Sequence, residues 1–298
     1  MKIVLLGKGG QVGRELLGSL AGAGTLVAFD RAAADLERPD EAVVLLRRER
    51  PDVIVNAAAY TAVDRAEAEP ERARAINATA VAAVAAEAAR QGAALVHYST
   101  DYVFDGTKAG RYGETDEPHP LSVYGATKRE GEEAIAAAGG RHWILRTSWV
   151  YAAHGHNFVR TILRLAGERE ELRIVDDQRG SPTSARLIAA VTATIVGRLV
   201  AGAAPATGVY HLASHGETTW WGFARTILAA ARDRGLALRC PPERVVAIAT
   251  ADYPLPARRP ANSLLDTAKL ERALNIRLPE WQDDVEAVVA SLVATPFI

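Results

Sequence analysis

Tyr124 and Lys128 stand four residues apart in Ser-Val-Tyr-Gly-Ala-Thr-Lys, and on a helix that spacing stacks a phenol and an ammonium on one face. A free tyrosine has a pKa of about 10, so it exchanges protons poorly at neutral pH unless a nearby positive charge stabilises the phenolate. Lys128 is placed to supply that charge. Taken alone, Tyr-x-x-x-Lys also suits an ordinary surface helix, so its meaning depends on the elements around it.

The first of these elements is at the N-terminus. Lys2-Ile-Val-Leu-Leu-Leu6 reads as a short apolar strand that runs into Gly7-Lys-Gly-Gly10-Gln-Val-Gly13, with a helical pattern from Arg14. Strand, Gly-x-x-Gly-x-x-Gly loop and helix follow in the order a dinucleotide site requires. Gly7 permits the tight turn, Gly10 lets the backbone approach a pyrophosphate, and Gly13 lets helix pack closely on strand. Free amides and the helix dipole then hold the phosphates. A second apolar run, Thr25–Phe29, ends in Asp30, where an acid accepts hydrogen bonds from an adenine-ribose diol. Asp30 leans towards NADH, whereas Arg31 beside it could hold the 2′-phosphate of NADPH.

Length, composition and patterning agree with such a site. The 298 residues can bury a large core. A net charge of −1 argues against nucleic acid or a membrane surface as partner. No apolar run approaches the roughly 20 residues of a membrane span, and the N-terminus enters a strand directly rather than a signal peptide. Cys240 is the only cysteine, which excludes an intrachain disulfide and suits a reducing cytoplasm. The seven histidines show no paired ligand spacing, so no metal site is predicted. Strand candidates at 52–56, 94–98 and 143–146 alternate with helical stretches at 39–50, about 70–91 and 124–138, as in a parallel sheet. The pattern then loosens: helices are expected at 157–167, 183–200, 220–234, 267–274 and 281–294, with strands at 172–175 and 209–212. The expected fold is α/β: a doubly wound Rossmann-type parallel sheet with a smaller C-terminal substrate-binding lobe. Residues 1–151 form the dinucleotide-binding domain and 152–298 mainly the lobe, with a segment around 209–212 returning to the sheet.

The motifs Gly7-x-x-Gly-x-x-Gly13, Asn56-Ala-Ala-Ala59, Ser99-Thr100-Asp101 and Tyr124-x-x-x-Lys128 together resemble the extended short-chain dehydrogenase/reductases. More narrowly, the chain is similar to the dTDP-4-dehydrorhamnose reductase family over essentially its full length. The phrases that carry this are Gly-Gln-Val-Gly (10–13), Asn-Ala-Ala-Ala-Tyr-Thr-Ala-Val-Asp (56–64), His-Tyr-Ser-Thr-Asp-Tyr-Val-Phe-Asp-Gly (97–106) and Arg-Thr-Ser-Trp-Val-Tyr (146–151). Asp-Asp-Gln-Arg-Gly-Ser-Pro-Thr (176–183) and Ala-Arg-Arg-Pro-Ala-Asn-Ser (257–263) complete the set.

The resemblance implies a catalytic set of Thr100, Tyr124 and Lys128. Thr100 would hydrogen-bond the substrate carbonyl as negative charge develops, and Tyr124 would donate the proton as hydride leaves the nicotinamide. Lys128 would lower the tyrosine pKa and hold the nicotinamide ribose. Gln11 and Val12 would contact the cofactor phosphates. Asp30, Asp35 and Leu36 would lie near the adenosine, and Ala59, Tyr60, Thr61 and Tyr98 along the rest of the cofactor. Asp101, Trp149, Asn157 and Arg258 would contact the sugar nucleotide. Asp35 and Leu36 also suit a capped loop, Trp149 a core position and Asn77 helix packing. Arg258 and Arg259 suit either a solvated surface or a clamp on a nucleotide diphosphate.

The implied reaction is NADPH- or NADH-dependent reduction of the 4-keto group of dTDP-6-deoxy-L-lyxo-4-hexulose (dTDP-4-dehydro-L-rhamnose), giving dTDP-L-rhamnose for cell-surface polysaccharide. Alternatives are another 4-keto-6-deoxy sugar nucleotide, or a non-catalytic regulatory subunit that binds NAD(P). Magnesium serves some relatives, with Glu15 a candidate participant, and a homodimer is compatible with the resemblance. Dehydratases of the superfamily follow the active-site Thr with Asp-Glu. Here Thr100-Asp101 is followed by Tyr102, which steers the reading to reduction.

Overall fold

In the computed structural model, which describes residues 1–294, strand and helix alternate through the first half. The order is β1 (Lys2–Leu6), α1 (Gln11–Ser19), β2 (Thr25–Phe29), α2 (Pro39–Glu49), β3 (Val53–Asn56), α3 (Val63–Ala68), α4 (Pro70–Arg74), α5 (Ala80–Gln91), β4 (Ala94–Thr100), α6 (Val123–Ala138) and β5 (His142–Thr147). The second half holds β6 (Val150–Tyr151), α7 (Phe158–Glu168), β7 (Leu172–Val175), β8 (Arg179–Gly180), β9 (Thr183–Ser184), α8 (Ala185–Val200) and β10 (Gly208–His211). It closes with β11 (Thr218–Thr219), α9 (Trp220–Asp233), β12 (Val245–Ile248), α10 (Ala268–Leu274) and α11 (Trp281–Ala294).

Six strands form one sheet in the order β10-β5-β4-β3-β1-β2, every pair parallel. Period-two alternation sends successive side chains to opposite faces. Val4, Leu6, Ile54, Leu95 and Ile144 meet Leu45, Val84 and Ile135 of α2, α5 and α6 on one side. Ile3, Leu5, Val55, Val96 and Leu145 meet Leu16, Ile188 and Leu270 of α1, α8 and α10 on the other. Both faces are therefore covered, which explains why these strands are apolar runs rather than alternating ones. A third core lies among α7, α9 and α11, where Cys240 is fully buried with Phe223 and Val285. None of the helices among the described residues is long and apolar enough to cross a membrane.

The strand order reverses between β1 and β3, since the chain runs out to β2 and crosses back. Ligands of open α/β sheets bind outside the carboxyl ends of strands at such a switch point. The carboxyl ends here deliver Gly7, Asp30, Ala57 and Thr100 to one edge.

Two departures from the sequence pattern bear on that edge. The helix expected over about 70–91 is broken into α4, a π-helical turn at Ala75–Thr79, and α5. Inside the turn, the buried Asn77 gives its amide to another segment. Its Oδ1 accepts from Tyr60 N at 2.9 Å, and its Nδ2 donates to Tyr60 O at 3.0 Å and to Thr127 Oγ1 at 3.3 Å. Helix propensity gives no hint of this, because it is a tertiary contact of one side chain. Strand β12 and the two-residue strands are too short or too irregular for a periodic signal to reveal.

Candidate active site

The glycine loop is built as its spacing requires. Gly7 has φ +86°, and a Cβ there would lie 2.6 Å from Ala58 N, so only glycine fits both the conformation and the contact. A Cβ on Gly13 would sit 2.1 Å from Gly7 O, which is why α1 can approach β1 so closely. At Gly10, the N-cap residue of α1, the nearest atom to such a Cβ is 3.5 Å away. The backbone there is bare on the side a phosphate would approach, with the α1 amides behind it.

A cavity of about 460 Å³ opens beside this loop, lined among others by Gly7, Gly10, Asp30, Asp35, Leu36 and Tyr60. Ala59 and Thr61 complete the same wall. Eight of the positions expected to hold cofactor thus line one crevice. Gln11 and Val12 instead begin α1 next to it. Asp30 lies 3.4 Å from Lys8 Nζ, and that ammonium holds the exposed carboxyl below its usual pKa. The residues present fit a dinucleotide: a left-handed glycine, a bare helix N-terminus and a carboxylate at the end of β2.

Thr100, Tyr124 and Lys128, the residues expected to be catalytic, gather at the end of β4. Thr100 is the last residue of that strand, and α6 is brought against it by two glycines. A Cβ on Gly125 would fall 2.1 Å from Tyr102 O, and one on Gly131 would fall 2.3 Å from Asn77 O. Ser122 caps α6 by accepting from Gly125 N at 3.2 Å, which fixes Tyr124 in the first turn. The Tyr124 hydroxyl faces the Thr100 side chain, which acts to lower its pKa. Thr100 Oγ1 in turn donates to Asp101 Oδ1 at 3.0 Å. Burial pushes the Tyr124 pKa up to about 12, outweighing the effect of Thr100. Burial likewise pushes Asp101 up to about 6, against hydrogen bonds from Ser263 and Thr100.

Lys128 does not yet act on Tyr124. Its Nζ donates to Tyr98 O at 2.6 Å and meets His97 Nε2 at 3.1 Å, and burial lowers its pKa to about 8. The expected lowering of the tyrosine pKa is therefore absent from this arrangement, and burial alone sets the direction. The partners of Lys128 form a chain. Ala58 N donates to Asn56 Oδ1 at 3.2 Å, which turns the Asn56 amide nitrogen to His97 Nδ1 at 3.2 Å. An imidazole that accepts at Nδ1 carries its proton at Nε2, and burial holds His97 neutral. His97 thus offers a donor to Lys128, which the neutral amine accepts and the ammonium does not.

Tyr98 follows strand alternation to the other face, where its hydroxyl bonds Thr192 Oγ1 at 2.7 Å. Its contribution to this site is the carbonyl that anchors Lys128, not a side chain along the cofactor.

The second lobe supplies another cavity, of about 670 Å³, between α7 and the segment 250–259. Phe158, Gln178, Trp220, Tyr253 and Arg258 are among its walls. Arg258 is exposed, and no hydrogen bond or ion pair involves its guanidinium among the described residues. Arg259 is engaged instead, with Asp64 at 2.7 and 3.0 Å. Trp149 has φ +49°, uncommon for a bulky residue, and stacks on Trp220 with ring centroids 3.6 Å apart. Backbone strain of this kind persists only where packing over-determines it, and it clusters at functional sites. Asn157 is a joint. Its Oδ1 caps α7 through Arg160 N at 3.2 Å, while its Nδ2 donates to Gln11 Oε1, Ala152 O and His154 O. Those bonds leave its amide no spare donor for a sugar. Glu15 accepts from His154 Nε2 at 2.9 Å, and no group of three potential metal ligands occurs among the described residues.

Sequence reasoning missed His97 as a partner of Lys128, Asn56 as the partner of His97, Arg65 and Arg72 in the wall of the crevice, and Lys8 on Asp30. A signal existed for His97 alone: it is a polar residue in a strand otherwise buried on both faces.

The chain matches the family model described as RmlD substrate binding domain over residues 1–294. It is 48% identical to a dTDP-4-dehydrorhamnose reductase of Burkholderia thailandensis, covering 99% of this chain and 100% of that one. Identity is 46% to the dTDP-4-dehydrorhamnose reductase of Escherichia coli K12, with both chains covered completely. Among solved structures, a dTDP-4-dehydrorhamnose reductase of Bacillus anthracis in complex with NADP superposes with a TM-score of 0.89 at 31% identity, covering 97% of this chain and 99% of that one.

Proposed function

This chain belongs to the RmlD substrate binding domain family of dTDP-4-dehydrorhamnose reductases, and on that premise we propose how its residues divide the work. The protein is an oxidoreductase that reduces the 4-keto group of dTDP-4-dehydrorhamnose with a nicotinamide cofactor. When bound, that cofactor supplies the hydride.

The Gly7–Gly13 loop and the α1 amides hold the pyrophosphate, and Asp30 takes the adenine-ribose diol. Thr100 turns the hydroxyl proton that it gives to Asp101 in this structure to the carbonyl oxygen that gains negative charge, and Tyr124 gives that oxygen its proton. A phenol with its pKa pushed up to about 12 stays protonated at neutral pH, so the proton is in place, and the positive charge that eases its transfer is the part left to Lys128. Lys128 holds the nicotinamide ribose from its anchor on Tyr98 O. The nucleoside diphosphate occupies the cavity walled by Phe158 and Trp220, with the unpaired Arg258 on its phosphates.

One observation carries this assignment: Thr100 closes β4 at the carboxyl edge of the sheet, with Tyr124 in the first turn of α6 close enough for Thr100 to act on its pKa. Elimination lacks its acid, because Tyr102 stands where a dehydratase has Glu and packs edge-on against Tyr124 with ring centroids 5.6 Å apart. For the cofactor we favour NADH slightly, on Asp30. We assign the protein to the cytoplasm on its single, buried cysteine. The test follows NADH and NADPH consumption with dTDP-4-dehydro-L-rhamnose and with other 4-keto-6-deoxy sugar nucleotides. Oxidation above background with the first supports the reading, and none with any of them overturns it.

A further inference from the structure

The adenosine end of the crevice carries more charge than a ribose diol needs. Arg31 and Arg72 both line it, yet they sit in different elements, one just after β2 and one in α4. Both guanidinium groups converge on a single carboxylate. Arg72 donates to Glu37 Oε1 through Nε at 2.9 Å and Nη2 at 2.7 Å, and Arg31 Nη2 donates to the same oxygen. Each arginine has a second, lesser partner: Asp35 lies 3.6 Å from Arg31, and Glu69 lies 3.1 Å from Arg72.

Two forked cations on one oxygen is the arrangement phosphate recognition uses, because guanidinium groups match tetrahedral anion oxygens in pairs. The site lies one residue beyond Asp30, where an arginine accommodates a ribose 2′-phosphate in dinucleotide folds. Glu37 thus stands as a carboxylate counter-ion where such a phosphate would bind.

We propose that Glu37 sets the cofactor choice of this enzyme: it neutralises Arg31 and Arg72 internally, so NADPH must displace a carboxylate that NADH leaves in place. This rests on the crevice being the dinucleotide site, the reading given above. With Glu37 present, the phosphate of NADPH gains two arginines but meets the Glu37 carboxylate, and NADH keeps the slight advantage that Asp30 gives it. Without its charge, both guanidinium groups lose their shared partner and keep only Asp35 and Glu69, so each can turn its fork to the phosphate.

The experiment measures dissociation constants of NADPH and NADH for the full chain and for Glu37→Gln by nicotinamide fluorescence, with no sugar nucleotide present. Because no turnover is needed, failure of the ketosugar reading leaves this result intact. In Glu37→Gln, the affinity ratio of NADPH to NADH is expected to rise at least tenfold. An unchanged or lower ratio overturns the proposal. If Glu37→Gln does not fold, Arg31→Gln in the wild-type background gives the opposite test: the ratio must fall severalfold, and a constant ratio overturns the proposal equally. In either protein, 2′,5′-ADP competition separates a phosphate effect from a general change in the crevice, since its affinity must move with that of NADPH.

Discussion

Lys128 Nζ lies 2.6 Å from the carbonyl oxygen of Tyr98, so this lysine is tied to the strand that carries Thr100 rather than to the tyrosine one turn before it. Strand β4 therefore positions two members of the proposed catalytic set, Thr100 as its last side chain and Lys128 through a carbonyl. The buried neighbours of Lys128 Nζ are the neutral His97 and that carbonyl, and the charge of Glu132 on the same helix raises its pKa against burial.

This burial has a pH signature. The Lys128 pKa falls from 10.5 to about 8 on folding, so between those values the unfolded chain binds the extra proton. Stability rises with pH wherever the unfolded state binds more protons. Urea unfolding at pH 7.5 and pH 10 is expected to shift the wild type relative to Lys128→Met in favour of the wild type at the higher pH. A difference that does not change with pH excludes the depressed lysine. In the same variant, both cofactor affinity and turnover should fall, since one amine serves both.

Asp101 runs the other way. Its pKa rises from 3.8 to about 6 in the folded protein, chiefly by burial. The folded state then holds a proton that the unfolded state has released, and stability declines as pH climbs through that interval. Asp101→Asn removes the penalty, so at pH 7 the variant should be more stable by about 3 kcal/mol, and near pH 4 the two should converge. Thermal or urea unfolding at both pH values reads this directly. A variant that is less stable at pH 7 contradicts it. Its activity should nevertheless drop, because the carboxylate accepts from Thr100 at 3.0 Å.

Much of this site was legible because its parts are local. The glycine spacing, the acid after the second strand and the Tyr-x-x-x-Lys pair are each set within a few residues, and each occupies the position its pattern implies. Thr100 was named by the resemblance, in Ser99-Thr100-Asp101, and it is the last residue of β4. What stayed hidden depends on contacts between distant segments. The rotation of Tyr98 away from the crevice follows from strand register, which only the packed sheet defines. Asn157 could not be recognised as a joint until Gln11, far away in sequence, was seen to accept from it. The π turn at Asn77 and the shared carboxylate of Glu37 arise in the same way, from partners 17 and 35 residues distant. The Trp149 backbone conformation also has no sequence signature, because its reason is the stack on Trp220.

The most direct measurement is ketosugar-dependent oxidation of the nicotinamide cofactor by Tyr124→Phe, alongside its affinity for that cofactor. If Tyr124 delivers the proton, turnover falls by roughly 10²–10⁴ while cofactor affinity stays within a few-fold of wild type. Turnover that remains at the wild-type level in a variant that still binds cofactor would contradict the account.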